Sequence, residues 1–409
     1  MCIQAKEIAA KYRDMSGLNG DEVEISTRIF EFERRDEDEV IVEAVENRLP
    51  LIVSRGGEII VNFDVRATQA FSFTDSKRPI YTYVPGFNVH KVPAGIRRPV
   101  SNLIQSLRGP QAADVVKEYS RLPLTGFELV LLLLNAVIGS DSKVFQWPAG
   151  KRAAFVALHD IDTIGFLRRR ERDALFRLEQ KHAIKATWFV PTAILKSKER
   201  VDFLLEAGNE VGWHDHSHDH RLPYKPFAER RAEILMHSPL GDTSYPLGMR
   251  TPKLLKSNHL FEVLDQSCAP LRYDTSFLRG IAPYPLWVNG KRSRIWEIPT
   301  TVPTDIRLYN QLRGVSGCRK YELMLEAQIA RTKKLIEVGG VISIVTHPEL
   351  DLSERPELLE VYDQYLAYIR TCPDLWIATA GEVFKYWTEN GVTAAVELSS
   401  ANMSQVTKL

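Results

Sequence analysis

The chain reads as an α/β protein: a deformed (β/α)7-8 barrel over residues 149–393, preceded by a smaller mixed α+β domain over 1–148 and followed by a flexible tail at 394–409. Three observations predict this. The chain has 409 residues, more than one average core needs, with 44% hydrophobic and 26% charged residues, the balance of an ordinary globular protein. Beyond residue 149, short apolar runs alternate regularly with charged stretches of helical spacing. The polar residues able to do chemistry fall at the C-terminal ends of those runs, where a parallel barrel assembles its site.

In chain order, LPLIVSRGGEIIVNFDV at 49–65 predicts two strands around an Arg-Gly-Gly turn. Residues 100–139 predict mostly helix, ending in FELVLLLLNAVIG at 127–139, a run too short to span a bilayer. The character changes at SDSKVFQWPAGKR, 141–152. AAFVALHD at 153–160 is the first barrel strand, and LRRRERDALFRLEQKH at 167–182 has the spacing of a helix. ATWFVP is a strand and AILKSKERVDFLLEAG a helix stopped by Gly208. The alternation continues through NEVGW, a helix around FAERRAEILMH, YPLGM, a helix in SNHLFEVLDQS, LRYDTSF and RIWEIP. A helix from about 320 to 337, VISIVTHP, a helix from about 355 to 370, and LWIATA complete it. The first 148 residues carry no chemical motif, and the chain has no internal repeat.

Bulk charge narrows the function classes. With 53 basic against 52 acidic residues the formal charge is +1, which advertises neither nucleic-acid binding nor attachment to an anionic membrane. A small-molecule or carbohydrate substrate fits better. The opening MCIQAKEIAAKYRD lacks the apolar core of a secretory signal, so a cytoplasmic location is expected. Cys2, Cys268, Cys318 and Cys372 are far apart, without a C-x-x-C pair, and are expected to be buried free thiols.

The strand ends carry the chemistry. The first ends in His159, Asp160 and Asp162; the third in His214, with His216, His218 and His220 beyond; the fourth in Arg250. The fifth carries Asp274 and the seventh ends in His347. Asp160 and Asp162 flank one residue, and carboxylates so close repel unless a cation or a proton relieves them. Histidines 214, 216, 218 and 220 would share a face in a strand. In a helical turn the neighbours are 214 with 218, or 216 with 220. A zinc-type site wants imidazoles plus a carboxylate, and the spacing leaves either pair open.

These residues resemble the polysaccharide deacetylase family, the NodB-homology or carbohydrate esterase family 4 hydrolases. HDID at 159–162 is similar to the family's Asp-x-Asp variant, and EVGWHDHSH at 210–218 to its Glu-(Ile/Val)-Gly strand followed by His-x-x-x-His. RTP at 250–252 resembles Arg-x-Pro, YDTSF the fourth motif, and the apolar strand ending in His347 the fifth. The similarity runs over roughly 149–390. It implies a NodB-type barrel with Asp162, His214 and His218 as metal ligands and Asp160 as catalytic base. Arg250 would orient Asp160 and keep it ionised, and Asp274 would support His347 as general acid. The implied reaction is hydrolysis of a C–N amide bond, as in N-deacetylation of an N-acetylated sugar; some members cleave other amides, ureide-like rings among them. The implied cofactor is Zn²⁺, although Co²⁺, Mn²⁺, Ni²⁺ or Fe²⁺ would bind such ligands too. Two departures alter the approach to the substrate: Thr163 replaces the usual glycine after the aspartates, and RTPKL lacks the glycine common two residues after the proline. His216 and His220 are extra to the motif. The competing readings are a dinuclear phosphoesterase-like metallohydrolase and a non-catalytic barrel that binds carbohydrate or a partner.

Overall fold

The computed structural model describes residues 6–14, 22–29, 35–44, 48–56, 58–63, 73–84, 114–125, 127–128, 131–132, 145, 147–148, 150–195, 199–237, 247–267, 269–349 and 355–391. Strands β1 (Lys6–Asp14), β2 (Glu22–Ile29), β3 (Glu39–Ala44), β4 (Pro50–Arg55) and β5 (Glu58–Val61) form an antiparallel sheet in the order β2-β1-β3-β4-β5. The hairpin expected around Arg-Gly-Gly is β4–β5, with Arg55 opposite Glu58 and Gly56 at φ +57. In the stretch expected to be mostly helical, α1 (Val115–Tyr119) and residues 127–128 and 131–132 are helical; 100–113 and 133–139 lie outside the described residues, as does the tail from 394.

The second sheet runs β11-β12-β10-β9-β8-β7-β6-β13, with β14 also on β6. Its strands are β6 (Ala153–Asp160), β7 (Ala186–Val190), β8 (Glu210–Trp213), β9 (Leu247–Met249), β10 (Leu271–Asp274), β11 (Tyr284–Val288), β12 (Lys291–Glu297), β13 (Val341–Thr346) and β14 (Leu375–Ile377). All pairings are parallel except the β11–β12 hairpin. Every residue of β6, β7 and β13 is buried, which is why these strands read as unbroken apolar runs. The barrel is deformed at two places. One edge of β6 is shared, Ala153–Phe155 pairing with β14 and Ala157–Asp160 with β7. Between β12 and β13 the chain is stitched by single bonds, Val302 N–H to the Ser343 carbonyl at 3.0 Å and Thr301 N–H to the Ser343 hydroxyl at 2.9 Å.

Helices α2 (Ile164–Arg169), α3 (Ala174–Lys181), α4 (Glu199–Glu206), α5 (Phe227–His237), α6 (Asn258–Gln266), α7 (Asp305–Gln311), α8 (Cys318–Val338), α9 (Pro356–Arg370) and α10 (Ala380–Tyr386) pack around the sheet. Two expectations need correction. The helix over 167–182 is two, because buried Asp173 caps α3, its carboxylate accepting the N–H of Leu175 at 3.2 Å, and so interrupts the first helix. RIWEIP, expected as a strand, is the second arm of the β11–β12 hairpin; Asn289-Gly290, with φ +49 and +74, is the tight-turn signal that marks it. Cys318 is exposed and Cys372 half-buried, so neither is the buried thiol expected; Cys2 and Cys268 lie outside the described residues.

Glutamate and glycine in the Glu-Val-Gly strand have structural reasons. Half-buried Glu210 accepts from Gly381 N–H at 2.8 Å, from the Thr187 hydroxyl at 2.9 Å and from the Tyr273 phenol, tying β7, β8, β10 and α10 together. A β-carbon on Gly212 would meet the Phe189 ring at 2.6 Å. Gly248 in β9 is tighter still, with the Tyr273 ring 2.0 Å from where a β-carbon would stand. Gly248→Ala is therefore expected to cost about 1–3 kcal/mol as an overpacked core substitution, measured by denaturant unfolding. An unchanged midpoint would show that Tyr273 gives way freely.

Candidate metal centre

Strand ladders continue past the strand ends and deliver the site residues to one mouth. Ile161 N–H bonds to the Phe189 carbonyl at 3.0 Å, His214 N–H to Val190 at 3.1 Å and Arg250 N–H to Trp213 at 3.0 Å. Asp162, His214 and His218 converge there, their ligand-type atoms all within 4.8 Å of one another. The Nε2 atoms of His214 and His218 face each other at 3.2 Å, and Asp162 Oδ1 lies 2.9 Å from His218 Nε2 and 3.6 Å from His214 Nε2. Of the two histidine pairs the spacing allowed, 214 and 218 meet.

This set fits a divalent cation. The Arg250 carbonyl lies 2.8 Å from His214 Nδ1 and accepts its proton, which leaves the Nε2 lone pair aimed at the cluster, the usual way a ligating imidazole is oriented. Two Nε2 atoms pointing at one carboxylate oxygen form a nitrogen and oxygen donor set suited to zinc and its neighbours. The Asp162 carboxyl is pushed up by burial, but His218 and His214 outweigh that and hold it well below its ordinary value. Among the described residues this is the one such group of three or more His, Cys, Asp or Glu, so they hold no second cluster for a dinuclear site.

Beside it stands Asp160, its Oδ2 accepting from Arg250 Nε at 2.9 Å. Arg250 is almost fully buried, and its Nη1 donates to the Thr300 hydroxyl at 2.9 Å and to the Thr275 carbonyl. Burial pushes the Asp160 carboxyl up; the charges of Arg250, His214 and His347 outweigh it and keep the group below the ordinary carboxylate range. The other oxygen, Asp160 Oδ1, is buried and accepts no hydrogen bond from the protein. His347 Nε2 is 3.7 Å from Asp160 Oδ2, so carboxylate and imidazole border the same space.

The expected partner of His347 is corrected. Asp274 is fully buried elsewhere, accepting the Ser276 hydroxyl at 2.7 Å and the Ser276 N–H at 3.1 Å, with Glu297 against it. Ser276 Oγ in turn accepts Thr251 N–H at 2.9 Å, so Asp274 braces the loop that carries Arg250. The carboxylate on His347 is Asp305, whose Oδ1 lies 2.9 Å from Nδ1 and whose Oδ2 accepts the His347 backbone N–H at 2.9 Å. Burial works against charge on His347, but Asp305, then Asp162 and Asp160, push its value up to about 10. Asp305 lies in TTVPTDIRLYN, between the strand and helix the alternation predicts; Thr304 and Asp305 are a helix-start signal there, with Thr304 capping α7.

The remaining polar residues have other tasks. His159, the first residue of HDID, is core: its Nε2 is 2.6 Å from Glu179 Oε1 and its Nδ1 2.7 Å from the Thr346 hydroxyl. His216 stacks on His237 at 3.6 Å between centroids, with Nδ1 3.0 Å from the Thr192 hydroxyl. His220 Nδ1 lies 2.5 Å from the phenol of Tyr81, a residue from outside the barrel. Thr163, where the resembled family has glycine, caps α2, and its hydroxyl and N–H donate to Glu349, linking the loops after β6 and β13. Leu254, at the other departure, keeps a left-handed φ of +56, the conformation a glycine would hold without strain.

The strand order is that of the deformed NodB-type barrel expected from the sequence, a fold shared with solved structures. No protein-family model and no curated protein matches the chain. Among solved structures, Puue allantoinase aligns with a TM-score of 0.50 at 17% identity, over 61% of this chain and 95% of that one. A polysaccharide deacetylase from Pseudomonas aeruginosa PAO1 aligns at 0.49 with 14% identity over 63% and 97%. One from Mycobacterium smegmatis aligns at 0.46 with 18% identity over 61% and 95%.

The Asp305–His347 pair has a measurable consequence in the metal-free protein. Its folded value near 10 lies above the ordinary 6.5, so the ring stays charged through neutral pH. The pair's contribution to stability is therefore complete below about pH 6.5 and is lost as pH rises through 10. In Asp305→Asn the imidazole should lose its proton more than about one unit lower, read by NMR titration of His347. An unmoved titration would mean that Asp305 is not what charges the ring.

Proposed function

We propose that the chain is a divalent-metal-dependent hydrolase of a C–N amide bond, with an N-acetylated sugar as the substrate class. The observation that carries this reading is a three-ligand cluster flanked on one side by a carboxylate held ionised and on the other by an imidazole held charged. Two titratable groups whose environments push them in opposite directions make a base and an acid at one pH.

Asp162, His214 and His218 would hold the cation, which when bound would polarise the amide carbonyl and acidify water. Asp160 accepts the proton of the attacking water on Oδ1, the buried oxygen that accepts no bond from the protein, while Arg250 holds Oδ2 and keeps the group ionised. His347, oriented through Nδ1 by Asp305, has Nε2–H directed into the same space and gives that proton to the departing nitrogen. Water is consumed, the C–N bond breaks, and a carboxylate and an amine are released. A ring amide of the ureide kind is the second reading, favoured by the fold match to an allantoinase.

The test is a mass-spectrometric screen of N-acetylated sugars, sugar nucleotides and small ureides for loss or opening of an acyl group, with and without Zn²⁺. On a substrate so found, Asp160→Asn is expected to keep its metal and lose turnover by about 10²–10⁴-fold, as is His347→Ala. Asp162→Ala should lose the metal itself, measured by elemental analysis. Full turnover in Asp160→Asn would sink the mechanism.

A further inference from the structure

A segment from outside the barrel reaches the histidine loop. Residues 73–84 are pinned along their length: Phe73 packs edge-on against Phe261 and Phe277 at 5.3 and 5.0 Å. Asp75 accepts Asn258 N–H at 2.8 Å at the start of α6, and Ser76 exchanges backbone and hydroxyl bonds with Lys256 at 2.8 and 3.0 Å. Farther on, Arg221 donates to the carbonyls of Thr82 at 3.2 Å and Val84 at 2.5 Å. From this base Tyr81 projects toward the mouth.

Its phenol and His220 Nδ1 are 2.5 Å apart, and the two rings lie 5.7 Å centroid to centroid. His220 in turn packs T-shaped on His218 at 5.2 Å, and His218 Nε2 is the atom nearest Asp162. The phenol can donate to Nδ1 or accept from it, and with either tautomer of His220 this one bond fixes the ring's rotation. The loop needs such fixing, since Asp215, His218 and His220 all stand at left-handed φ of +68, +53 and +66, positions that L residues hold at a cost. The reaction above makes no use of Tyr81 or His220.

We propose that Tyr81 is a positioning residue for the candidate metal ligand His218, acting through His220, so that cation affinity depends on a segment outside the barrel. The inference rests on the metal-site reading above. Partners that orient a metal ligand are typically worth about 10–100-fold in affinity, and one removed by a further residue belongs at the lower end.

The test uses the full chain stripped of metal, with Co²⁺ as the probe, followed by equilibrium dialysis and by the visible absorption of the bound ion. Tyr81→Phe removes one oxygen and keeps the ring. It should weaken Co²⁺ binding by about tenfold and alter the absorption bands, with the thermal midpoint of the metal-free protein unchanged. His220→Ala should weaken binding as well, and Tyr81→Phe should add nothing in that background, the mark of two residues acting as one unit. Wild-type affinity and spectrum in Tyr81→Phe would overturn the proposal, as would an undiminished loss in the His220→Ala background. A wild-type chain that binds no Co²⁺ would overturn the metal-site reading, and this proposal with it; loss of the Tyr81 effect alone leaves that reading standing.

Discussion

Charge compensation at the barrel mouth is the constraint on which the site depends. Asp160 and Asp162 flank a single residue and Asp305 stands on the other side of His347; Asp160 and Asp305 are buried and Asp162 is half-buried. Taking a carboxylate out of water costs several kcal/mol unless an opposite charge and hydrogen bonds replace the lost hydration. Arg250 does this for Asp160, His347 lies between Asp160 and Asp305, and the paired imidazoles take Asp162. Each partner is itself anchored: Arg250 by Thr275 and Thr300, His214 by the Arg250 carbonyl. The set is reciprocal, so no member can be altered without leaving another charge short of a partner.

Reciprocity also explains residues that stand behind the cluster. Asp274 and Ser276 hold Thr251 and thus the backbone from which Arg250 projects. Thr304 caps the helix whose first residue is Asp305. Glu349 receives Thr163, joining the loop after the first barrel strand to the loop that begins with His347. Glycine in place of Thr163 would lose that hydroxyl link.

The residues before the barrel share its packing. Leu122, Leu124, Leu131, Leu132, Phe145 and Trp147 belong to the same buried cluster as the barrel strands. Glu128, fully buried, accepts the backbone N–H groups of Ile281 at 2.7 Å and Ala282 at 2.9 Å, beside the seam where the sheet is stitched by single bonds. Tyr81 is the part of this region that reaches the mouth. A chain whose barrel closes imperfectly thus draws on its own preceding segment for backbone partners and for a wall beside the histidine loop.

The alternation of apolar runs with helical stretches was enough to read the barrel, because a buried parallel strand must be apolar throughout and its crossover must be long. Asp160, Asp162, His214, His218, Arg250 and His347 were legible as candidates because ligands and acid–base groups at strand ends stand out against that pattern. What the linear order could not express was pairing at a distance. Asp274 ends β10 and Asp305 begins α7, and only the positions of α7 and the Thr251 loop decide that the second meets His347 while the first does not. Nor does the spacing of four alternate histidines choose among faces; left-handed backbone at Asp215 and His218 breaks both the strand and the helix periodicity and brings 214 and 218 together. Hydrophobic burial is a local, periodic property and so is written along the sequence, whereas charge partners are chosen by where closed ladders and capped helices bring them in space.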